Sequence, residues 1–200
     1  MSGPAATTDV PDLGPVPTRI AVDEATVASL IAAQFPRWSG LPIRRVAAEG
    51  WDNQTFHLGE ELLVRLPSAA EYALAVAKEH RWLPVLAPRL PLPIPEPLGR
   101  GEPGQGYPHP WSVYRWLPGE SASREKIADP TGFATALAGF LGALRSVDPT
   151  DGPGPGRHNW YRGGTLLTFA ARLEEDLVTL GDRVPRRRLR AAWRAALDAT

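Results

Sequence analysis

The chain has 200 residues, 43% of them hydrophobic and seven of them tryptophan, enough for one large domain or two small lobes with a real core. Its 22 basic and 22 acidic residues cancel, and a zero net charge argues against a dedicated nucleic-acid binder. With no cysteine, a disulfide scaffold and a Cys-based zinc site are excluded, and no apolar run approaches the ~20 residues that span a bilayer; a cytoplasmic protein with no nucleic-acid and no membrane partner is expected.

In chain order, the stretch from Met1 to Pro17 is rich in Ala, Thr, Gly and Pro and lacks the basic-then-apolar pattern of a signal peptide. Residues 1–18 therefore read as a disordered leader. Asp23 can cap a helix whose apolar face is Val27, Leu30, Ile31 and Phe35. Pro36 and the run Gly40-Leu41-Pro42 end it. Ile43 to Val46 is a short strand, and Glu49 to Gln54 a polar turn containing Gly50. Thr55 to Leu58 and Leu62 to Leu66 are two further strands about a tight turn at Gly59-Glu60. Three consecutive strands with short connections predict an antiparallel meander. Ser68 to Leu86 reads as a helix with Tyr72, Val76, Leu83 and Leu86 on one face and Glu79 on the same stripe. Pro84 should kink or end it. Pro88 to Pro97, with its frequent prolines, can only be extended, as a polyproline-like segment or an edge strand. After a Gly/Pro loop from Glu102 to Pro110, Trp111 to Leu117 is a strong strand stopped by Pro118-Gly119.

Beyond Gly119 the pattern turns helical. Asp129-Pro130 is a cap followed by proline at the first helical position, and Phe133, Leu137, Phe140, Leu141 and Leu144 form the stripe of that helix. A long loop from Asp151 to Gly164 precedes two more helices, Leu166 to Leu180 and Arg186 to Ala199. Strands before Gly119 and helices after it predict an α+β fold of two lobes. The first lobe is placed at 19–118 and the helical one at 119–200.

Three features bear on chemistry. The turn before Thr55 has backbone amides that can lie over phosphates, with Asn53, Gln54 and Thr55 at its exit; an ordinary hairpin turn is the competing reading. Arg65 sits in an apolar strand and Glu79 on the apolar stripe of the next helix, and a buried lone charge is costly enough that the two should pair. The alternative leaves Arg65 in solvent and Glu79 capping or snorkelling. Finally, the strand from Ser112 to Leu117 can act as a hinge whose backbone meets a nucleotide base, against the reading of a plain edge strand.

The runs Glu49 to Leu58 (EGWDNQTFHL), Leu63 to Pro67 (LVRLP), Lys78 to Pro84 (KEHRWLP), Trp111 to Glu120 (WSVYRWLPGE) and His158 to Gly164 (HNWYRGG) together resemble the aminoglycoside-phosphotransferase family of small-molecule kinases, over roughly residues 20 to 200. The resemblance implies a protein-kinase-like two-lobed fold, a small antiparallel-sheet N-lobe with a partial helical C-lobe. It implies ATP (or another NTP) with Mg2+ as cofactors and a small-molecule hydroxyl as phosphate acceptor. Aminoglycoside, macrolide, homoserine-like and sugar or amino-alcohol acceptors all stay open. Arg65 would take the strand-cation place, where many members carry Lys, with Glu79 as its partner and Tyr114, Arg115 and Trp116 as the hinge. The family's catalytic loop, His-Gly-Asp with an Asn five residues after the Asp, has no counterpart, since no His-x-Asp occurs in the chain. The 200 residues are therefore expected to be the front part of such an enzyme, with no catalytic residue and no metal ligand assigned and no activity alone. A non-catalytic nucleotide-binding or regulatory fragment is the alternative.

Other candidates are weaker. His57, His80, His109 and His158 lack metal-ligand spacing. Gly101, Gly104 and Gly106 do not join a strand to a helix. Ser112 and Ser121 lack a nucleophile-elbow context. Arg186 to Arg188 with Arg190 read as a solvated helix face.

Overall fold

A computed structural model describes residues 15–47, 50–123 and 125–199. As far as residue 14 the expected leader lies outside them, and so does Glu49 at the head of the expected turn. The chain divides into two compact units, one spanning Pro17–Pro153 and one from Gly154 onward.

Asp23 starts α1 (Glu24–Gln34). Its Oδ1 accepts the Thr26 N–H at 2.8 Å, answering one of the first-turn amides that a helix leaves without a backbone partner. Val27, Leu30 and Ile31 are buried on the inner face of α1. Five strands form one antiparallel sheet: β1 (Ile43–Arg45), β2 (Asn53–Leu58), β3 (Leu62–Pro67), β4 (Pro97–Gly101) and β5 (Trp111–Arg115). Their order is β1-β2-β3-β5-β4. The first three make the expected meander, with Gly59 at φ +63° in the β2–β3 turn, a conformation that suits glycine.

One detail differs from expectation, and one competing reading falls. β2 begins at Asn53, so Asn53 and Gln54 belong to a strand and not to the preceding turn, paired with Pro67 and Leu66. β5 is not an edge strand. It lies between β3 and β4, and the edge falls to β4, which starts where the proline-rich run ends. Proline is tolerated there because an edge strand can forgo a ladder N–H.

Alternation gives the sheet two unlike faces. Phe56, Leu58, Val64, Leu66 and Val113 point to one side, where they form the core with α1. Burying each of these side chains is worth ~1.5–3 kcal/mol at most. Trp111 closes this core at full burial, with its ring over Gly101 across the β4–β5 ladder. Phe35, at the end of α1, meets the Trp111 ring edge-on at 5.4 Å. The Gln34 side chain ties the same corner, donating to Glu102 O and accepting the Glu102 N–H, both at 2.8 Å.

On the opposite face, α2 (Ala70–Leu86) buries Tyr72, Ala73 and Val76. It runs two residues past Pro84 before tightening into a 3-10 turn at Ala87–Arg89, so Pro84 precedes the end without marking it. Leu83 and Leu86, expected on the buried stripe, instead line an apolar cavity of about 370 Å3 with Trp82, Leu144 and Val147. α3 (Pro130–Arg145) is capped by Asp129, whose Oδ1 accepts the Gly132 N–H at 3.0 Å. Its stripe residues Phe133, Leu137, Leu141 and Leu144 stay exposed.

In the second unit, Leu166–Phe169 forms a 3-10 turn, so the helix expected from Leu166 begins as α4 (Ala170–Leu180), followed by α5 (Arg186–Asp198). Arg190 on α5 grips Glu174 on α4 at 2.6 Å, and Arg186 meets Asp182 at 3.0 Å.

Gly101 is a sharp packing constraint. A Cβ there would stand 2.0 Å from Cε2 of the buried Trp111 ring. Gly101→Ala is expected to cost ~1–3 kcal/mol in urea unfolding, because the ring cannot move without disturbing the core. Gly119→Ala, where no atom lies within 4 Å of the added carbon, should stay within ~0.5 kcal/mol of the parent.

Candidate functional site

Cross-strand pairing lines up side chains on the face of the sheet that α2 covers. Thr55 pairs with Arg65 and Arg65 with Ser112; in the next row His57 pairs with Leu63 and Leu63 with Tyr114. Directly paired residues share a face, so these six stand opposite the core residues Phe56, Val64 and Val113.

The expected ion pair is present: Arg65 Nη1 lies 3.2 Å from Glu79 Oε2. The two side chains are 27% and 26% exposed, neither in the core nor free in solvent. Tyr114 Oη donates to the same carboxylate oxygen at 2.5 Å. The Arg65 guanidinium also lies 5.3 Å from the centroid of the Tyr114 ring, within cation–π range. Burial, and then the neighbouring Glu79 charge, push the Tyr114 phenol well above its ordinary range, so it stays protonated and able to donate. One residue along α2, His80 Nε2 lies 3.0 Å from Ser112 Oγ. Burial, then the Arg100 charge, lower its pKa from 6.5 against a weaker opposing pull from Glu79, which keeps the imidazole neutral at neutral pH.

Beside the end of β5 lies a cavity of about 260 Å3 walled by Thr55, Arg65, Tyr114, Arg115 and Trp116 together with Leu63, Pro95 and Leu117. Five of the expected site residues thus converge, and Glu79 joins them through Arg65. The Trp116 ring stacks at 4.3 Å on His57. The backbone at this end is partly committed to the sheet: the Arg115 N–H donates to Glu96 O at 2.9 Å and the Trp116 N–H to Glu61 O at 2.8 Å. Among the described residues, the Leu117 N–H meets no backbone oxygen.

Gln54 does not join this group. Its side chain is buried on the α1 face, where Oε1 accepts the Val22 N–H at 2.9 Å and Nε2 donates to Ile20 O at 2.6 Å. It fastens the incoming chain to β2. Strand alternation is the reason, since Gln54 shares its face with Phe56 and Leu58. Asn53 stands at the head of β2, opposite Pro67 and outside the cavity wall.

The turn before β2 is anchored from several sides. The Ser68 N–H donates to Asp52 O at 2.8 Å, and Ser68 Oγ donates to the same oxygen at 3.1 Å. Trp51 Nε1 donates to Tyr72 Oη at 2.9 Å, and the Arg19 guanidinium lies 4.9 Å from the Trp51 ring.

Sequence reasoning missed the bond between His80 and Ser112 and the hydroxyl bond of Tyr114. The signal was available: Ser112 and Tyr114 are two apart on a strand, hence on one face, and Glu79 and His80 adjoin on the helix that follows β3. Among the described residues, no three His, Cys, Asp or Glu side chains converge as a metal site needs.

A model of the phosphotransferase enzyme family (APH) matches residues 43–200. Among solved structures, the chain is similar to the GDP and kanamycin complex of APH(2")-IIia, with a TM-score of 0.70 at 20% identity, over 88% of this chain and 60% of that one. It is also similar to the GDP complex of wild-type aminoglycoside 2'-phosphotransferase-IIIa, with a TM-score of 0.70 at 21% identity, over 87% of this chain and 59% of that one. The chain therefore spans about three-fifths of the length of these two structures. No curated protein matches it. These likenesses assign it the protein-kinase-like fold.

The network around Glu79 is testable by stability. Glu79→Leu leaves the Arg65 guanidinium and the Tyr114 hydroxyl without their acceptor and is expected to cost ~2 kcal/mol in urea unfolding, whereas Glu79→Gln, which keeps an acceptor oxygen, should cost ~1 kcal/mol. A pH dependence follows from His80. With its pKa lowered in the folded state, the unfolded chain binds the extra proton more readily, so stability rises with pH across that interval. It should hold level well above 6.5 and fall on acidification through that value. His109, lowered chiefly by burial, acts in the same sense. His80→Gln should therefore remove part of the slope, read as urea midpoints between about pH 7.5 and about pH 5.5.

Proposed function

The chain belongs to the phosphotransferase enzyme family, and on that premise we propose that it binds ATP or another nucleoside triphosphate for phosphoryl transfer to the hydroxyl of a small molecule. The observation that carries this reading is the cavity at the end of β5, which gathers an aromatic wall, strand-end backbone and a braced cation. The base lies against Trp116 along the backbone from Tyr114 to Leu117. Its edge meets the Leu117 N–H, because the donors of Arg115 and Trp116 are already committed. The turn at Gly50 to Asp52, held by Ser68, covers the phosphates, with Asn53 and Thr55 at its exit.

Arg65 meets the phosphates in this reading. Phosphoryl transfer is catalysed by positioning and by electrostatic stabilisation of charge on the transferring group. A guanidinium suits a division of labour: one Nη holds Glu79, and the remaining donors of the fork face the phosphate oxygens. Mg2+, when bound, would neutralise phosphate charge; the described residues offer no converging set of ligands for it. We assign residues 19–118 to the nucleotide lobe and 119–200 to the acceptor-side lobe. The acceptor class is a small hydroxylated molecule, of which kanamycin, held in one similar structure, is an example. The chain has no His-x-Asp and spans three-fifths of the similar structures, so the 200 residues by themselves bind nucleotide without turning it over. A purely regulatory nucleotide-binding role shares this site.

Calorimetric titration of the 200-residue chain with ATP, GTP and adenosine tests the reading. ATP or GTP is expected to bind, and Arg65→Ala to weaken it about tenfold, or ~1.4 kcal/mol, with a smaller change for adenosine. No binding of either triphosphate at millimolar concentration sinks the proposal. Turnover by this chain, abolished by changing one of its own Asp residues, would instead place catalytic machinery within it.

A further inference from the structure

We propose that His80 is a positioning residue for Arg65: its hydrogen bond to Ser112 sets α2 on the sheet so that Glu79, its neighbour, presents the guanidinium to the cavity before any nucleotide arrives. This rests on the reading of the cavity as a nucleotide site.

One ion pair fixes little by itself. Arg65 and Glu79 are long side chains, each about a quarter exposed. A contact between two such chains survives small rolls and slides of the helix that carries one of them. A second contact removes that freedom if it is short, buried and displaced along the helix. Ser112 meets these conditions: it is 1% exposed, its side chain is short, and its strand is bonded to β3 on one side and β4 on the other. Its buried hydroxyl needs a partner, and His80 Nε2 is at 3.0 Å. Glu79 and His80 are consecutive on α2, and their partners Tyr114 and Ser112 are two apart on one face of β5. Two bonds from adjoining helix residues to alternate strand residues define both the rotation of the helix and its position along the strand.

The surroundings favour the neutral form of the imidazole. Glu79 stands beside it on α2, Ser112 and Tyr114 face it from β5, and Arg100 acts on it from β4. A proton on His80 would add a cation near Arg100.

The test uses the full 200-residue chain and four proteins: wild type, Ser112→Ala, His80→Leu and His80→Gln, whose amide keeps a polar group of similar reach. ATP and adenosine affinities are measured by calorimetry. Ser112→Ala and His80→Leu are expected to weaken ATP about fivefold, in the range of couplings within a bonded network, and to leave adenosine within about twofold. His80→Gln should restore most of the loss. Equal weakening of both ligands, no weakening of ATP, or no restoration by Gln overturns the proposal. A second measurement needs no ligand: exchange of the Arg65 guanidinium hydrogens with water, followed by NMR, should quicken about fivefold in Ser112→Ala and His80→Leu and return toward wild type in His80→Gln. If wild type binds neither ATP nor adenosine, the nucleotide reading fails and exchange alone decides; rates unchanged among the four proteins then overturn the positioning role.

Discussion

A carboxylate on the sheet-facing side of a helix obliges the sheet to supply donors, because burying it unanswered costs more than most single contacts return. Glu79 makes that demand, and the order of the strands meets it. Arg65 comes from β3 and Tyr114 from β5, and both reach one oxygen of Glu79. They can do so because β3 and β5 are neighbours, with Leu63 opposite Tyr114 and Arg65 opposite Ser112. Had β4 followed β3 in space as it does in sequence, Tyr114 would stand one strand spacing, ~4.8 Å, farther away. The late entry of β4 at the edge and the satisfaction of Glu79 are therefore two aspects of one arrangement.

The opposite face of the sheet makes this arrangement stiff. Phe56, Val64, Val113 and Trp111 close a dry core with α1, and the Trp111 ring lies where only a glycine can face it. Gln54 is the polar intrusion on that side. Its amide answers two backbone groups of the incoming chain at Ile20 and Val22. With one face fixed by packing, the other can carry Thr55, Arg65, Ser112 and Tyr114 at set spacings. A cavity wall built from strand residues is more exact than one built from loops.

The choice of an arginine at position 65 also bears on what the brace must do. An ammonium presents one charge that any rotation preserves, whereas a guanidinium is a planar fork whose direction matters. Ring contact with Tyr114 on one side and the carboxylate of Glu79 on the other constrain that plane. Tyr114 thus works twice, through its hydroxyl as a donor to Glu79 and through its ring as the aromatic surface under Arg65.

How much of this was legible beforehand follows from the range of each signal. The cap at Asp23, the meander from Ile43 to Leu66, the helix that carries Glu79 and the cap at Asp129 are local, and their residues specify them without reference to distant parts of the chain. The pairing of Arg65 with Glu79 could also be read, because two charges set in apolar stripes have few ways to be satisfied. Family resemblance, carried by short runs such as WSVYRWLPGE, pointed to the protein-kinase-like fold that the solved structures share. The duties of Gln54, His80 and Ser112 were decided only by the tertiary structure. A period of two shows which strand residues share a face, but not which face meets α1 and which meets α2. Nor does it show that β5 passes inside β4. Those are choices between packings of whole elements, set by the burial of Trp111, Phe56 and Val113 together. Once made, they sent Gln54 to the core side to hold the incoming chain and brought Ser112 under His80.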